Sequence, residues 1–108
     1  SSFSRVFTKA KRSRDTMLTV LYRPNGGDQP RLGLAIGKKH CRLATARNRL
    51  KRVIRESFRH NRETIGGLDV VVLNQPAAAR ADNDLLSDSL ERHWRRIGQQ
   101  NANGTNNE

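Results

Sequence analysis

The chain carries the stretch ATARNRLKRVIRESFR at residues 44–59. Its small and apolar side chains recur at the three- and four-residue spacing of an α-helix, at Ala46, Leu50, Val53, Ile54, Ser57 and Phe58. At about 100° per residue these positions share one side of the helix, within an arc of roughly 120°. The periodicity predicts a helix from about Ala44 to Arg62, with Thr45 as its N-cap.

The opposite side of this predicted helix is cationic. Its members are Asn48, Lys51, Arg52, Arg55, Arg59 and Arg62. Glu56 is the only acid between Arg47 and Arg62, so like-charge repulsion is hardly offset. Arg47 and Arg49 fall in the first turn, where the helix dipole disfavours cations. A face that serves only solubility is the simpler alternative, but a bound polyanion would remove both penalties, and we favour binding of a phosphate backbone.

The whole chain has the charge of a nucleic-acid-binding protein. Its 108 residues include 21 Lys and Arg against 10 Asp and Glu, a net charge of +11. Ten of the basic residues, with one acid, lie between Lys38 and Arg62. A membrane surface would also attract this charge, but no apolar run approaches the ~18 residues of a spanning helix, which argues against a membrane partner. The lack of a dimerisation element argues against a DNA-binding regulator.

Length and composition favour one small domain. We expect a folded domain at residues 1–98, followed by a disordered polar tail at residues 99–108, which is rich in Asn, Gln and Gly. The single Cys41 excludes an internal disulfide and is consistent with a reducing compartment, so a cytoplasmic location is expected.

Ahead of the basic helix, the sequence predicts two strands. A short helical turn at Phe3–Phe7 and a polar connection at Lys9–Asp15 come first. Alternating apolar residues then predict strands at Thr16–Tyr22 and Arg31–Ile36. The turn residues Pro24–Pro30 make a hairpin the most economical link between these strands.

After the basic helix, the sequence predicts one more strand and one more helix. The apolar run Leu68–Leu73 suits a central strand. A last helix begins near Asn83, and Gly98 is its expected end. Its buried stripe is predicted to be Leu86, Leu90, Trp94 and Ile97. Alternating strands and helices indicate an α/β fold, a single-domain sandwich with one sheet covered by helices.

Nothing in the sequence has the spacing of a catalytic or metal site. The acids are scattered, so neither a carboxylate cluster for metal ions nor a positioned general base is evident. His40 and Cys41 are adjacent but lack a second ligand pair, which argues against a zinc site. His93 falls inside the last helix and is interpreted as a packing or surface residue. We expect a polypeptide that is not catalytic by itself and binds no cofactor or metal.

The residues around the basic helix resemble a known family. The RNR signature of the bacterial ribonuclease P protein subunit is closely similar to Arg47-Asn48-Arg49-Leu50-Lys51-Arg52, preceded here by Lys38-Lys39 and followed by Arg55-Glu56-Ser57-Phe58. Further similarity is seen at Ser2–Phe7, Arg31–Lys39 and Leu86–Arg96. The resemblance therefore covers most of the chain ahead of the polar tail.

The resemblance implies a function that the residues alone do not give. Proteins of this family join one large catalytic RNA, which with bound Mg²⁺ removes the 5′ leader from precursor tRNA. The implied fold has a small mixed sheet, generally of four strands, in the element order α-β-β-(β)-α-β-α. It also includes a left-handed crossover around the basic helix, a handedness that the sequence itself does not predict.

The family's functional residues carry over by position. Contact with the catalytic RNA is implied for Lys38, Lys39, Arg47, Asn48, Arg49, Lys51, Arg52, Arg55 and Arg59. A cleft for the single-stranded leader is implied at Phe3, Phe7, Leu21, Gly33 and Ala35. Aromatic rings stack on unpaired bases of any sequence, although both phenylalanines could instead pack on the sheet.

A ribosomal or other structural RNA-binding protein of similar fold is the alternative. Composition alone does not separate the two functions. The spacing of the RNR signature and the paired phenylalanines Phe3 and Phe7 favour the ribonuclease subunit.

Overall fold

The computed structural model describes the backbone of residues 10–106 and the side chains of residues 10–100. Within this part the strands are β1 (Lys11–Arg14), β2 (Leu18–Pro24), β3 (Arg31–Ala35) and β4 (Leu68–Asn74). The helices are α1 (Ala44–His60), the short α2 (Arg62–Ile65) and α3 (Asn83–Asn106), with a 3₁₀ helix at Pro76–Arg80. The described chain is an α/β protein, as predicted. The helical turn expected at Phe3–Phe7 lies outside the described residues.

The strands form one mixed sheet in the spatial order β1-β2-β4-β3. β2 is antiparallel to both β1 and β4, whereas β3 runs parallel to β4. The predicted hairpin between β2 and β3 is therefore wrong, because β4 lies between them. The physical reason is burial, since the apolar run Leu68–Asn74 gains most from the central position, where both of its edges are paired.

The turn after β2 docks against the start of β4. The backbone N–H of Asn25 donates to the carbonyl of Gly67 at 3.0 Å. A Cβ atom on Gly67 would lie 1.9 Å from the carbonyl oxygen of Gly27, so only glycine permits this approach. The turn residues thus contact the returning chain rather than closing a hairpin.

The connection predicted at Lys9–Asp15 is wrong, because it contains strand β1. The sequence of β1, Lys-Arg-Ser-Arg, has no apolar side chain and so lacks the usual strand signal. Asp15 ends the strand, since its carboxylate accepts the backbone N–H groups of Met17 and Leu18, both at 2.8 Å. For the same reason β2 begins at Leu18 rather than at the predicted Thr16.

Helices α1 and α3 lie on one face of the sheet and enclose the core with it. Leu50, Ile54 and Phe58 of α1 are buried, and so are all four residues of the stripe predicted for α3. Trp94 is fully buried at the contact between the two helices. Its ring packs edge-on against Phe58 with centroids 5.9 Å apart, and its indole N–H donates to Oγ of Ser57 at 2.9 Å.

The ends of α1 differ from the predicted ones. Leu43 takes the N-cap position instead of Thr45, and no side chain caps the helix. The helix ends at His60 rather than at Arg62, because Asn61 leaves the helical conformation with φ −119° and ψ 18°. The short helix α2 then turns the chain toward β4.

Helix α3 continues past its predicted end. Gly98 does not stop it, and the helix extends to Asn106, through residues expected to form a disordered tail. A Cβ atom on Gly98 would lie 2.2 Å from the carbonyl oxygen of Thr64, so this glycine lets α3 approach α2 closely. A packing glycine and a terminating glycine look alike in sequence. The division of the chain into a domain at residues 1–98 and a tail stays a prediction.

Candidate nucleic-acid interface

Helix α1 presents a cationic face to the outside of the molecule. This cationic face of α1 consists of Asn48, Lys51, Arg52, Arg55 and Arg59. It lies opposite the buried stripe, which fixes the helix to the core. The side chains of Lys51, Arg52 and Arg55 form no hydrogen bond or ion pair in the part of the chain whose side chains are described. Their charges are therefore available to an external anion.

Two arginines of the RNR signature form hydrogen bonds within the protein. Nη1 of Arg47 donates to the backbone carbonyls of Cys41 at 3.0 Å and Arg42 at 2.8 Å. Nη1 of Arg49 donates to Oδ1 of Asn83, the first residue of α3, at 2.9 Å. Both arginines thus hold neighbouring segments, a use that their spacing in the sequence did not reveal. Each keeps further N–H groups for a ligand.

The acid beside this face, Glu56, is engaged by its neighbours. Its Oε1 accepts from Nη2 of Arg59 at 2.6 Å and lies 3.0 Å from Nε2 of His60. These hydrogen bonds from Arg59 and His60 lower the pKa of Glu56 below its usual value. All three side chains are exposed, so the pairing contributes little to stability. It does offset the one negative charge that a phosphate chain would meet on this helix.

The connecting loop (residues 36–43) joins the sheet to α1. It carries the exposed Lys38 and Lys39. Its start is tied to the end of β4, because Oδ1 of Asn74 accepts the N–H of Gly37 at 3.0 Å and Nδ2 donates to the Gly37 carbonyl at 3.4 Å. Its far end is held by Arg47. The two lysines therefore lie between fixed points.

The face of the sheet opposite α1 and α3 carries a second cationic surface. The strand register places in one row Arg12, Leu21, Val71 and Gly33, and in the next row Arg14, Thr19, Leu73 and Ala35. A cleft of about 400 Å³ opens on this face. We call it the sheet cleft, and its lining includes Arg12, Arg14, Leu21, Ala35, Gly37 and His40. Small and apolar side chains lie between two arginines on one edge strand and the connecting loop on the other side.

The structure brings part of the predicted leader site together. Leu21 and Ala35 both line the sheet cleft. Gly33 lies one row away on the same face of the sheet, next to Val71 rather than in the lining. Phe3 and Phe7 lie outside the described residues, so their place in the site stays a prediction.

Sequence reasoning missed Arg12 and Arg14. Their segment was interpreted as a connection because it has no apolar residue. Short edge strands often carry charged side chains, and the alternation of two arginines about the small Ser13 is the signal that could have found them.

The described side chains form no cluster of metal ligands on either surface. Among the side chains of residues 10–100, no three His, Cys, Asp or Glu residues are placed to hold a metal ion together. No helix in the described part of the chain is long and apolar enough to cross a membrane. What both surfaces offer is a set of arginine N–H groups, which bind phosphate oxygens in pairs.

Comparison with known proteins identifies the family. The family model for ribonuclease P matches residues 1–98. The chain belongs to the ribonuclease P protein family. It is 45% identical over 101 residues to the ribonuclease P protein component of Thioalkalivibrio sulfidiphilus, covering 94% of this chain and 84% of that protein. It is 51% identical over 78 residues to that of Pseudomonas aeruginosa, covering 72% of this chain and 58% of that protein.

Solved structures of the family share the fold. The RNase P protein of Thermotoga maritima matches with a TM-score of 0.82 at 35% identity, covering 89% of this chain and 94% of that one. The Staphylococcus aureus protein matches with a TM-score of 0.78 at 29% identity, covering 84% of each chain. Family membership makes the chain a protein subunit of an endoribonuclease whose catalysis is carried out by RNA, rather than a ribosomal protein. The left-handed crossover and the cytoplasmic location stay predictions.

Proposed function

We propose that this subunit binds the RNA of ribonuclease P through the cationic face of α1 and the 5′ leader of precursor tRNA through the sheet cleft. Association with ribonuclease P RNA follows from the family. The assignment of one surface to each RNA is supported by the distribution of charge. One cationic surface lies on the helix-covered side of the sheet and the other on the opposite face. One small domain is thus shaped to contact two RNA segments at the same time.

The cationic face of α1 suits a folded RNA. Its side chains project from a helix that the core holds rigidly through Leu50 and Ile54, both fully buried. Arg52 and Arg55 are free of internal partners among the described side chains and can each bind a phosphate with two N–H groups. Contact with several phosphates releases counterions, so this interaction should depend steeply on salt.

The sheet cleft suits a single strand of RNA. Ala35 and Gly37 contribute little bulk to its lining, which leaves room for a backbone to approach. Arg12 and Arg14 supply guanidinium groups for leader phosphates, while Leu21 offers apolar surface to a base. Neither arginine reads base edges in this arrangement, so the cleft should accept leaders of different sequence.

Two further parts of the proposal rest on the resemblance to the family. Phe3 and Phe7 stack on unpaired leader bases. The Mg²⁺ used in the reaction is held by the RNA, and the protein binds no cofactor of its own.

Charge reversal on each surface tests the assignment. In a holoenzyme reconstituted with the RNA subunit, Arg52→Glu should weaken assembly while the preference for precursor over mature tRNA persists. Arg14→Glu should leave assembly unchanged and lower the ratio of precursor to mature tRNA affinity. Arg80→Glu, an exposed position on the 3₁₀ helix outside both surfaces, controls for net charge.

Two results would contradict the assignment. If Arg14→Glu weakened precursor and mature tRNA equally, the cleft would not hold the leader. If both reversals impaired assembly to the same extent, the two surfaces would serve one RNA.

A further inference from the structure

Strand β1 is joined to the helices without apolar contacts of its own. Its two arginines line the sheet cleft, and the alternating side chains of Lys11 and Ser13 face the side of α3. Of Lys11 and Ser13, only Ser13 is buried, with 2% of its surface exposed. β1 is an edge strand of four residues, and a short two-stranded pairing is marginal without further packing. The contacts that fix β1 beyond its ladder with β2 are therefore polar.

A buried polar cluster connects β1 to α3, and we call it the His93 cluster. Oγ of Ser13 lies 2.7 Å from Nδ1 of His93, and Nη1 of Arg96 donates to the same Oγ at 3.2 Å. Nε2 of His93 lies 3.2 Å from Oδ2 of Asp15, in electrostatic contact but without the alignment of a hydrogen bond. Ser89, one turn earlier on α3, donates to Oδ2 of Asp15 at 2.5 Å. The residue that ends β1 and the residue at its centre are thus both held by α3.

Burial disfavours the charged form of His93. The side chain is 1% exposed, and burial lowers its pKa, an effect that the carboxylate of Asp15 opposes only in part. Burial would by itself raise the pKa of Asp15, but the hydrogen bonds from Ser89 and two backbone N–H groups outweigh it and the pKa is lowered. A neutral imidazole accepts at one nitrogen and donates at the other. The network therefore assigns the acceptor to Nδ1, where the Ser13 hydroxyl donates, and the proton to Nε2 beside Asp15.

The cluster has the composition of a Ser-His-Asp triad, but its placement excludes that chemistry. Ser13 and His93 are 2% and 1% exposed, so no substrate carbonyl reaches the hydroxyl. The imidazole faces Ser13 with Nδ1 and Asp15 with Nε2, the reverse of a hydrolase triad. These groups are placed to hold segments together rather than to react.

We propose that His93 is a positioning residue for the leader: it holds β1 at the sheet edge so that Arg12 and Arg14 face the leader phosphates. This inference rests on the proposed function of the sheet cleft. Ser13 lies between the two arginines and points to the opposite face, so fixing Ser13 sets the direction of both. Loss of the cluster should loosen β1 from α3 and leave the cationic face of α1 in place.

The test measures the affinities of precursor and mature tRNA for the reconstituted holoenzyme. His93→Leu removes the polar contacts of the imidazole with little change in volume, and Ser13→Ala removes from the strand the hydroxyl that both His93 and Arg96 contact. Each should lower the precursor-to-mature affinity ratio about tenfold, the effect expected from losing roughly one charge-assisted contact between a cleft arginine and a leader phosphate. His93→Asn, whose side-chain oxygen can accept from the Ser13 hydroxyl, should restore most of the ratio.

A control variant separates positioning from general stability. Ser57→Ala removes the 2.9 Å hydrogen bond from the Trp94 indole and so weakens the core without touching β1. We expect Ser57→Ala to lower Tm and leave the affinity ratio unchanged, whereas His93→Leu lowers both. A ratio that falls in step with Tm in both variants would overturn the proposal.

A double-mutant cycle links His93 to the cleft. Arg14→Ala should lower the ratio in the wild-type background and have little further effect when combined with His93→Leu. Fully additive losses would overturn the positioning role of His93 while leaving the leader site intact. If Arg14→Ala had no effect in the wild-type background, the proposed function of the cleft itself would fail, so the two failures are distinguishable.

Discussion

Helices α1 and α3 lie on the same face of the sheet but differ in how they use their polar residues. The cationic face of α1 points outward, and the helix begins with neither an acid in its first turn nor a side-chain cap. Helix α3 has Asp84 in its first turn, which suits the helix dipole, and buries Ser89 and His93 against the β1 end of the sheet. Charges without local partners therefore indicate a binding surface, whereas polar residues with buried partners hold the fold together.

The largest effect is expected from a substitution that removes the contact between α1 and α3. Trp94→Ala should reduce the free energy of unfolding by about 3–5 kcal/mol, because it empties the centre of the core. Chemical denaturation measures this, and assembly and leader preference should both fall.

Leu85→Ala is the matched control on the same helix, since Leu85 is 54% exposed. Its effect on the free energy of unfolding should stay within about 0.5 kcal/mol. Similar losses at both positions would show that α3 is not anchored through its buried stripe.

The second prediction separates outward from inward arginines on α1. Arg52→Gln or Arg55→Gln should weaken binding to the RNA subunit by about 1.5–3 kcal/mol. Each should also make the slope of log K against log salt shallower by about 0.7–0.9, the contribution of one phosphate contact. Binding titrations at several salt concentrations measure both quantities.

Arg47→Gln is the inward counterpart. It removes the hydrogen bonds to Cys41 and Arg42 in the connecting loop, so affinity should fall while the salt slope stays nearly constant. A slope change as large as that of Arg52→Gln would show that Arg47 contacts phosphate directly.

The third prediction concerns Gly98, where substitution by alanine should destabilise the protein rather than stabilise it. In an ordinary helix interior, Gly→Ala stabilises by roughly 0.5–1 kcal/mol. Gly98→Ala should instead destabilise by about 1–3 kcal/mol, because the new Cβ would meet the Thr64 carbonyl and push α3 away from α2. Gln99→Ala, at the exposed neighbouring position, should be close to neutral. A stabilised Gly98→Ala protein would disprove the close contact.

The smallest expected effect is a pH dependence of stability from α3. Because burial lowers the pKa of His93, the unfolded chain binds a proton more readily than the folded one as pH falls through about 6.5. Stability is thus present above that pH and lost below it. The charged groups facing the imidazole are Asp15 across the cluster and Arg92 and Arg96 on its own helix.

Thermal melts of wild type and His93→Leu between pH 7.5 and 5 measure this effect. Wild type should lose a few degrees more in Tm than the variant over this range. Identical pH profiles would show that His93 does not remain neutral in the folded protein.

Local patterns predicted the elements whose residues are neighbours in sequence. The buried stripes of α1 and α3 and a central strand at Leu68–Leu73 follow from periodicity and composition alone. The structure confirms them and extends the strand to Asn74. β1 has only the weak local signal of two arginines alternating about Ser13, because what holds it against α3 is a contact between Ser13 and a histidine 80 residues away. Gly98 was misjudged because its partner, Thr64, is distant in sequence.

The same difference between local and long-range contacts applies to the candidate site. The cationic face of α1 was predictable because one helix carries all of it. The sheet cleft is assembled from strands β1 to β4 and the connecting loop, so the predicted Leu21 and Ala35 depended on the family, and Arg12 and Arg14 appeared only with the strand order.

The central position of β4 has a consequence for synthesis of the protein. β2 and β3 do not pair with each other, and β3 has no partner strand until β4 leaves the ribosome, after all of α1. A nascent chain that ends before Leu68 therefore holds at most the β1–β2 pair, although its most basic segment is complete. The long loop closures needed to insert β4 make sheet formation one late, slow step. An RNA that contacts the growing chain before β4 is synthesised therefore contacts the RNR segment before the core that supports α1 has formed.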